Sequence, residues 1–199
     1  MKKLALLFLF IFINKNLFSQ DLKKVDKIIS SYMKAESVES LANRIDYDFE
    51  TEIEKVRAIY TWIALNIEYD NYRANSLRIP EFILYSSEFD FERAKKRKIK
   101  ELVDKAFKNK KGLCYENALL FNRLCNLVNI KSEMIYGYSK SSVNYIGVVP
   151  KSKNHVWNAV KIKNNWLLFD VTYGAGYVYK NVWQKKIDLA YFNVKKTLS

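Results

Sequence analysis

The chain has 199 residues, of which 49% are hydrophobic, two are prolines and two are cysteines, and its formal charge is +13. That apolar content argues against a disordered polymer, two cysteines are too few for a disulfide-stapled scaffold, and one histidine with two separated cysteines cannot make a zinc cluster. No calcium-loop pattern occurs either, so no metal or cofactor is expected.

At the start, Lys2 and Lys3 precede an apolar run from Leu4 to Ile13, and a short polar stretch leads to Leu17-Phe18-Ser19-Gln20. Residues 1–19 read as a signal peptide cleaved after Ser19 or Gln20. The run is shorter than the roughly 20 apolar residues that span a bilayer, although an uncleaved anchor is the alternative. The segment holds no cysteine for a lipid. Export implies a secreted or periplasmic protein and makes nucleic acid a poor partner. Without Lys2, Lys3 and Lys15 the charge is still strongly positive, which favours peptide or protein substrates of acidic character or an anionic cell-envelope surface. About 180 residues remain, enough for one core.

Leu22, Val25, Ile29 and Met33 recur at helical spacing and predict a helix within a 20–50 N-terminal helical segment. The remaining residues, 51–199, form the expected main domain. Thr51 with Glu54 is a capping-box signature, and Val56, Ile59, Tyr60 and Ile63 mark the buried face of a helix to about Asn66. Residues 71–90 have no clear period and read as a long loop with short helical pieces. A basic helix follows from about Phe91 to Phe107. The stretch from Arg93 to Lys111 is densely basic, and a solvated helix face explains it better than a binding patch.

Gly112 breaks the pattern ahead of Cys114, and Ala118, Leu119, Phe121, Leu124, Cys125 and Val128 then outline a central apolar helix. Strands are predicted at Ser132–Tyr138, His155–Lys163 and Trp166–Tyr173, with Asn164-Asn165 as a hairpin turn. Helices first and an antiparallel sheet afterwards define an α+β fold.

Cys114 falls where the central helix begins, and a helix N-terminus favours thiolate at such a position. Cys125 lies deeper on the apolar face and reads as a core thiol. The two are roughly 16 Å apart along one helix, against the limit of about 7 Å for a disulfide. His155 is the only histidine and supplies the base a cysteine nucleophile needs. Asp170 stands in the apolar run Trp166–Val171, where an acid needs a partner. Strand alternation puts His155, Trp157 and Asp170 on one face. With Asn164-Asn165 as the turn, however, Asp170 faces Ala159, leaving His155 roughly 13 Å away along the strand. Contact then requires a bulge or a shifted register.

The runs Gly112-Leu113-Cys114-Tyr115-Glu116-Asn117-Ala118, Asn154-His155-Val156-Trp157-Asn158-Ala159-Val160 and Phe169-Asp170-Val171-Thr172-Tyr173-Gly174-Ala175-Gly176 resemble the transglutaminase-like superfamily. The stretch Ile59 to Asp70 is similar to the helix that precedes the nucleophile there, and the branch that looks nearest is the bacterial relatives of the kyphoscoliosis peptidase. The resemblance spans roughly Thr51 to Phe192. It implies a papain-like, transglutaminase-like fold in which a nucleophile-bearing helix packs on an antiparallel sheet, with Cys114 as nucleophile, His155 as base and Asp170 as orienting acid. It also implies a strand offset that brings the last two together.

Two departures stand out. Tyr115-Glu116-Asn117 replaces the Gly-Tyr pair common after the nucleophile, placing an acid where it is expected to alter the entrance or the substrate preference. The chain also ends at Ser199, soon after Tyr191-Phe192, whereas relatives usually continue.

The expected activity is acyl transfer from a peptide or protein amide through a thioester, as a peptidase or amidase with water and as a transglutaminase with an amine. The Cys114 backbone N–H is the expected first oxyanion donor, with Trp62 or Tyr69 as candidates for the second. A non-catalytic binding module for peptides or envelope polymers is the alternative, and a structural surface protein the third reading. Oligomeric state is left open.

Overall fold

The computed structural model describes residues 22–32, 34–76, 85–139 and 152–194. The apolar run 4–13, the expected cleavage at 19–20, Met33 and residues 195–199 lie outside them. Among the described residues no helix is long and apolar enough to cross a membrane.

The first helix, α1 (22–30), buries Val25 and Ile29. Ser37 caps α2 (Val38–Asp48), accepting the Ser40 N–H at 3.0 Å. The Thr51–Glu54 box starts α3 (Glu52–Asn66) as expected, with Thr51 N–H donating to Glu54 Oε2 at 3.0 Å and Glu54 N–H to Thr51 Oγ1 at 3.3 Å.

Every residue of α3 from Val56 to Ala64 is buried, including Arg57 and Thr61. Both find their partner on α1. Arg57 grips Asp26 through Nε at 2.8 Å and Nη2 at 2.7 Å, and Thr61 Oγ1 donates to the same carboxylate at 2.6 Å. This is the forked geometry for which guanidinium is suited, and it joins α1 to the core through polar contacts as well as apolar ones.

Next come the short strand β1 (Glu68–Tyr69), the single turn α4 (Asn71–Ala74) and α5 (Glu88–Asn109). α5 begins ahead of Phe91 because Ser87 caps it, accepting the Asp90 N–H at 3.1 Å. It buries only Val103, Ala106 and Phe107, and its charges pair along the helix: Arg93 with Asp90 at 2.8 Å, Lys95 with Glu92 at 3.1 Å and Lys98 with Glu101 at 3.5 Å. Lys110 ends it in a left-handed conformation, φ 56°. The chain then forms β2 (Lys111–Gly112), which runs parallel to β1 and pairs Tyr69 with Gly112. This bridge was not legible beforehand, because strands this short carry no periodicity.

The helix α6 (Cys114–Leu127) is the centre of the molecule, with α2, α3 and α5 packed around it and the sheet on its remaining side. That sheet is β3 (Ser132–Gly137), β4 (His155–Ile162) and β5 (Asn165–Phe169), antiparallel in the order β3-β4-β5. Phe121 of α6 stacks on Phe169 of β5, ring centroids 6.0 Å apart, and Cys125 is fully buried beside them in the same core.

The β4–β5 hairpin corrects two expectations. Ile162 pairs with Asn165, so the turn is Lys163-Asn164 and the register moves by two residues from the one built on Asn164-Asn165. Extending that register sets Asp170 opposite Trp157, which halves its offset from His155. The strand also ends at Phe169 and does not reach Tyr173. Asp170 leaves the ladder at φ −116°, ψ 89° and caps the short helix α7 (Val171–Ala175), its Oδ1 accepting the Tyr173 N–H at 3.1 Å. The apolar texture of Val171-Thr172-Tyr173 reads as strand, but a local carboxylate cap turns it into a helix.

A second hairpin, β6 (Gly176–Tyr179) and β7 (Val182–Lys185), and the 3-10 turn Leu189–Tyr191 complete the described chain. Gly174 is where Tyr60 crosses α7: its hydroxyl reaches Asp188 O at 2.8 Å through the space a Cβ would fill.

Candidate active site

The start of α6 is fixed from three directions. Leu113, the residue before the helix, has no side-chain acceptor to cap it. The reverse half of a capping box does the work: Glu116 Oε2 accepts the Leu113 N–H at 2.9 Å. The other oxygen of Glu116 pairs with Arg73 Nη2 at 2.6 Å, and Arg73 belongs to α4, whose cap Asp70 donates its own N–H to Gly112 O at 3.0 Å. A side chain at position 112 would crowd Asn117 Oδ1 at 3.0 Å, so glycine lets the strand meet the helix closely. Glu116 is therefore buried and committed to the helix start. This corrects the expectation that it alters the entrance: its carboxylate is consumed by Leu113 and Arg73.

Cys114 is the first residue of α6 and is partly exposed, whereas Cys125 is enclosed and its thiol is pushed far up in pKa by burial. The first backbone N–H groups of a helix have no intrahelical acceptor, so that of Cys114 points out of the turn unclaimed by the helix.

His155 is the first residue of β4 and is buried. Its Nε2 meets Asp170 Oδ2 at 2.6 Å, and the Cys114 thiol is its other polar side-chain partner. With Nε2 taken by the carboxylate, Nδ1 is the nitrogen left to face the sulfur. Burial pushes the imidazole pKa down, but hydrogen bonding to Asp170 and Cys114 and the charges they carry outweigh it and hold the group up at about 9. The ring is thus an imidazolium at neutral pH.

Asp170 is saturated on both oxygens, by His155 and by the Tyr173 N–H, and is buried. The three residues singled out in the sequence, Cys114, His155 and Asp170, come together from three different elements.

Of the two candidate second oxyanion donors, Trp62 is removed. It is buried in α3, its indole stacked on Phe107 at 5.2 Å with Lys110 Nζ 4.5 Å above it. Tyr69 remains next to the site, paired with Gly112 two residues before the thiol, its ring 6.1 Å from that of Trp183. Sequence reasoning missed Arg73, which lies in the 71–90 stretch that carried no period, and the capping role of Asp70 just before it; the Asp70-to-Arg73 spacing of a helix cap was the available signal.

Comparison with known proteins agrees with this architecture. The family profile of the transglutaminase-like superfamily matches residues 39–171, more than half of the chain. The protein belongs to that superfamily. Among curated relatives, it is 29% identical over 160 residues to the human kyphoscoliosis peptidase and 27% identical over 157 residues to the mouse protein. These matches cover 80% and 78% of this chain but only 21% of each relative, so the chain spans about a fifth of their length. The crystal structure of the periplasmic domain of TgpA from Pseudomonas aeruginosa superposes with a TM-score of 0.48 at 15% identity, covering 76% of this chain and 48% of that one.

Proposed function

We propose that the protein is an exported cysteine-dependent acyl-transfer enzyme acting on peptide or protein amide bonds, with Cys114 as nucleophile, His155 as base and acid, and Asp170 as the group that orients the imidazole. The observation that carries this reading is the His155–Asp170 contact of 2.6 Å, with the Cys114 thiol as the ring's other polar partner.

In this scheme the sulfur, as thiolate beside the imidazolium, adds to the amide carbonyl. The negative oxygen that develops is met by the N–H groups at the start of α6, that of Cys114 first. The C–N bond then breaks as the His155 ring proton passes to the leaving amine, leaving a thioester on Cys114 and a neutral imidazole. Water, deprotonated by that imidazole, attacks the thioester and frees the acid and the thiolate, which returns the site to its starting state. An amine in place of water gives a new amide. Hydrolysis is the preferred reading because it needs no second binding site. The substrate lies at an anionic envelope surface in this scheme, consistent with the positive charge of the whole chain.

The test is alkylation of the protein by iodoacetamide between pH 5 and 9, alongside turnover of a panel of peptide amides with and without added amine. Cys114 is expected to react far faster than a free thiol at neutral pH, and His155→Ala to slow it about 100-fold. Labelling no faster than an ordinary thiol and indifferent to His155→Ala would end the proposal. Fast labelling without turnover, with peptide still bound by Cys114→Ala, would replace it by a binding module.

A further inference from the structure

His155 is held by more than its carboxylate. The Tyr173 ring lies 4.4 Å from the imidazole, inclined by 28°, and the Trp157 indole lies 5.8 Å away, inclined by 29°. Each ring has its own reason to be there.

Trp157 is two residues after His155 on β4 and so shares its face. Gly137 pairs with His155 across β3 and β4, and a Cβ on Gly137 would stand 2.3 Å from Cη2 and 2.8 Å from Cζ3 of the indole. The indole thus leans over the glycine, and only the missing side chain leaves it room beside the histidine.

Tyr173 is fixed at both ends. Its backbone N–H is bound by Asp170, and its hydroxyl is hydrogen-bonded to Ser139 Oγ. Ser139 is itself gripped by the residue preceding the histidine: Asn154 Nδ2 donates to Ser139 O at 2.9 Å, and Ser139 N–H donates to Asn154 Oδ1 at 2.7 Å. The amide side chain imitates one more rung of the β3–β4 ladder, beyond the Asn154 N–H to Gly137 O bond of 3.0 Å. Asp170, His155, Tyr173, Ser139 and Asn154 therefore make a closed ring of contacts around the imidazole.

We propose that Tyr173 and Trp157, seated by Ser139 and Gly137, are positioning residues that fix the plane of the His155 imidazole, so that Nε2 stays on Asp170 while Nδ1 faces Cys114. A ring hydrogen-bonded to one carboxylate oxygen is still free to tilt about that bond. Two aromatic rings nearly parallel to it remove that freedom, and their negative faces suit an imidazolium. A base displaced from its line to the nucleophile loses rate steeply. Among the described residues, the ionisable or polar groups that face the assembly include Asp170, Cys114, the Asn154 amide, the hydroxyls of Tyr173 and Ser139, and Tyr191, whose ring lies 5.6 Å from that of Tyr173.

This inference rests on the proposed acyl-transfer reading, but its test does not need turnover. Because the chain has one histidine, the ring N–H shared with Asp170 gives a single downfield proton resonance, visible only while the ring is held. The wild type is expected to show it, and Tyr173→Phe, which keeps the ring, to retain it. Tyr173→Leu and Gly137→Ala are expected to lose it, with Cys114 alkylation at neutral pH falling about tenfold, the size of one aromatic contact expressed as a rate factor. Wild-type resonance and labelling in folded Tyr173→Leu or Gly137→Ala would overturn the proposal. If Tyr173→Leu fails to fold, Gly137→Ala decides, because position 137 lies at the end of an edge strand. A wild-type thiol of ordinary reactivity would defeat the enzymatic reading while leaving the resonance to judge the ring alone.

Discussion

Two carboxylates in this molecule are each held by a cation and a hydroxyl or amide donor, and they serve different ends. Asp26 is gripped by Arg57 and Thr61 against α3, while Asp170 is gripped by His155 and the Tyr173 N–H at the edge of the sheet. The difference is in the cation. A guanidinium never releases its proton near neutrality, and that of Arg57 lies with its face 4.6 Å from the Phe192 ring, so the first cluster ties helices together. An imidazole can gain and lose a proton, and this one has a second nitrogen turned toward a sulfur. In the proposed reaction, similar electrostatics becomes chemistry because the cation is titratable and shares a contact with the Cys114 thiol.

The contrast can be broken first at Asp170. Asp170→Asn keeps a helix-capping side chain but removes the charge behind the imidazole. Cys114 labelling and any turnover are expected to fall about 1,000-fold, and the melting temperature at neutral pH to fall as well, because the imidazole loses the carboxylate that holds its proton. A loss of less than tenfold would put Asp170 with Asp26 as a structural acid.

The converse change is Arg57→Ala, which strands Asp26. Stability is expected to fall by about 3 kcal/mol, or roughly 10 °C in melting temperature, with the labelling rate of the folded protein unchanged.

The titratable cation also predicts a pH dependence. The folded-state pKa of His155, about 9, lies above its ordinary 6.5. The contribution of this group to stability is therefore complete below 6.5 and is lost as pH rises through 9. Between those values unfolding is expected to become easier by on the order of 1 kcal/mol per pH unit, and His155→Gln to flatten that slope. Urea denaturation at several pH values measures both.

The smallest effect belongs to the helix start. Glu116→Gln keeps the shape but loses the Arg73 ion pair, and is expected to cost about 1 kcal/mol with labelling reduced only a few-fold.

The sequence was most legible where one residue type had one plausible duty. A lone histidine, a cysteine after a glycine and an acid in an apolar run were candidates on residue type alone, while the offset that joins His155 to Asp170 came only with the family resemblance. The helical order was legible for the same reason, since α3 and α6 carry strong apolar periods and α3 a capping box. What stayed hidden depended on pairing across space. The turn at Lys163-Asn164, one position from the asparagine pair that attracts attention, decides the register. Asp170 could not be seen as a helix cap while its neighbours looked like strand. Glu116 read as an entrance residue because nothing in the local pattern announced Arg73, 43 positions earlier in the chain, as its partner.

The burial of Cys125 gives the protein an internal gauge. One thiol sits at the surface of α6 and the other is sealed in the core, so the native molecule should take up a single alkyl group rapidly and a second only when the helix comes away from the sheet. The mass difference between singly and doubly labelled chains then counts opening events directly. The first label reports how ready the site is, and the second how often the fold around it lets go.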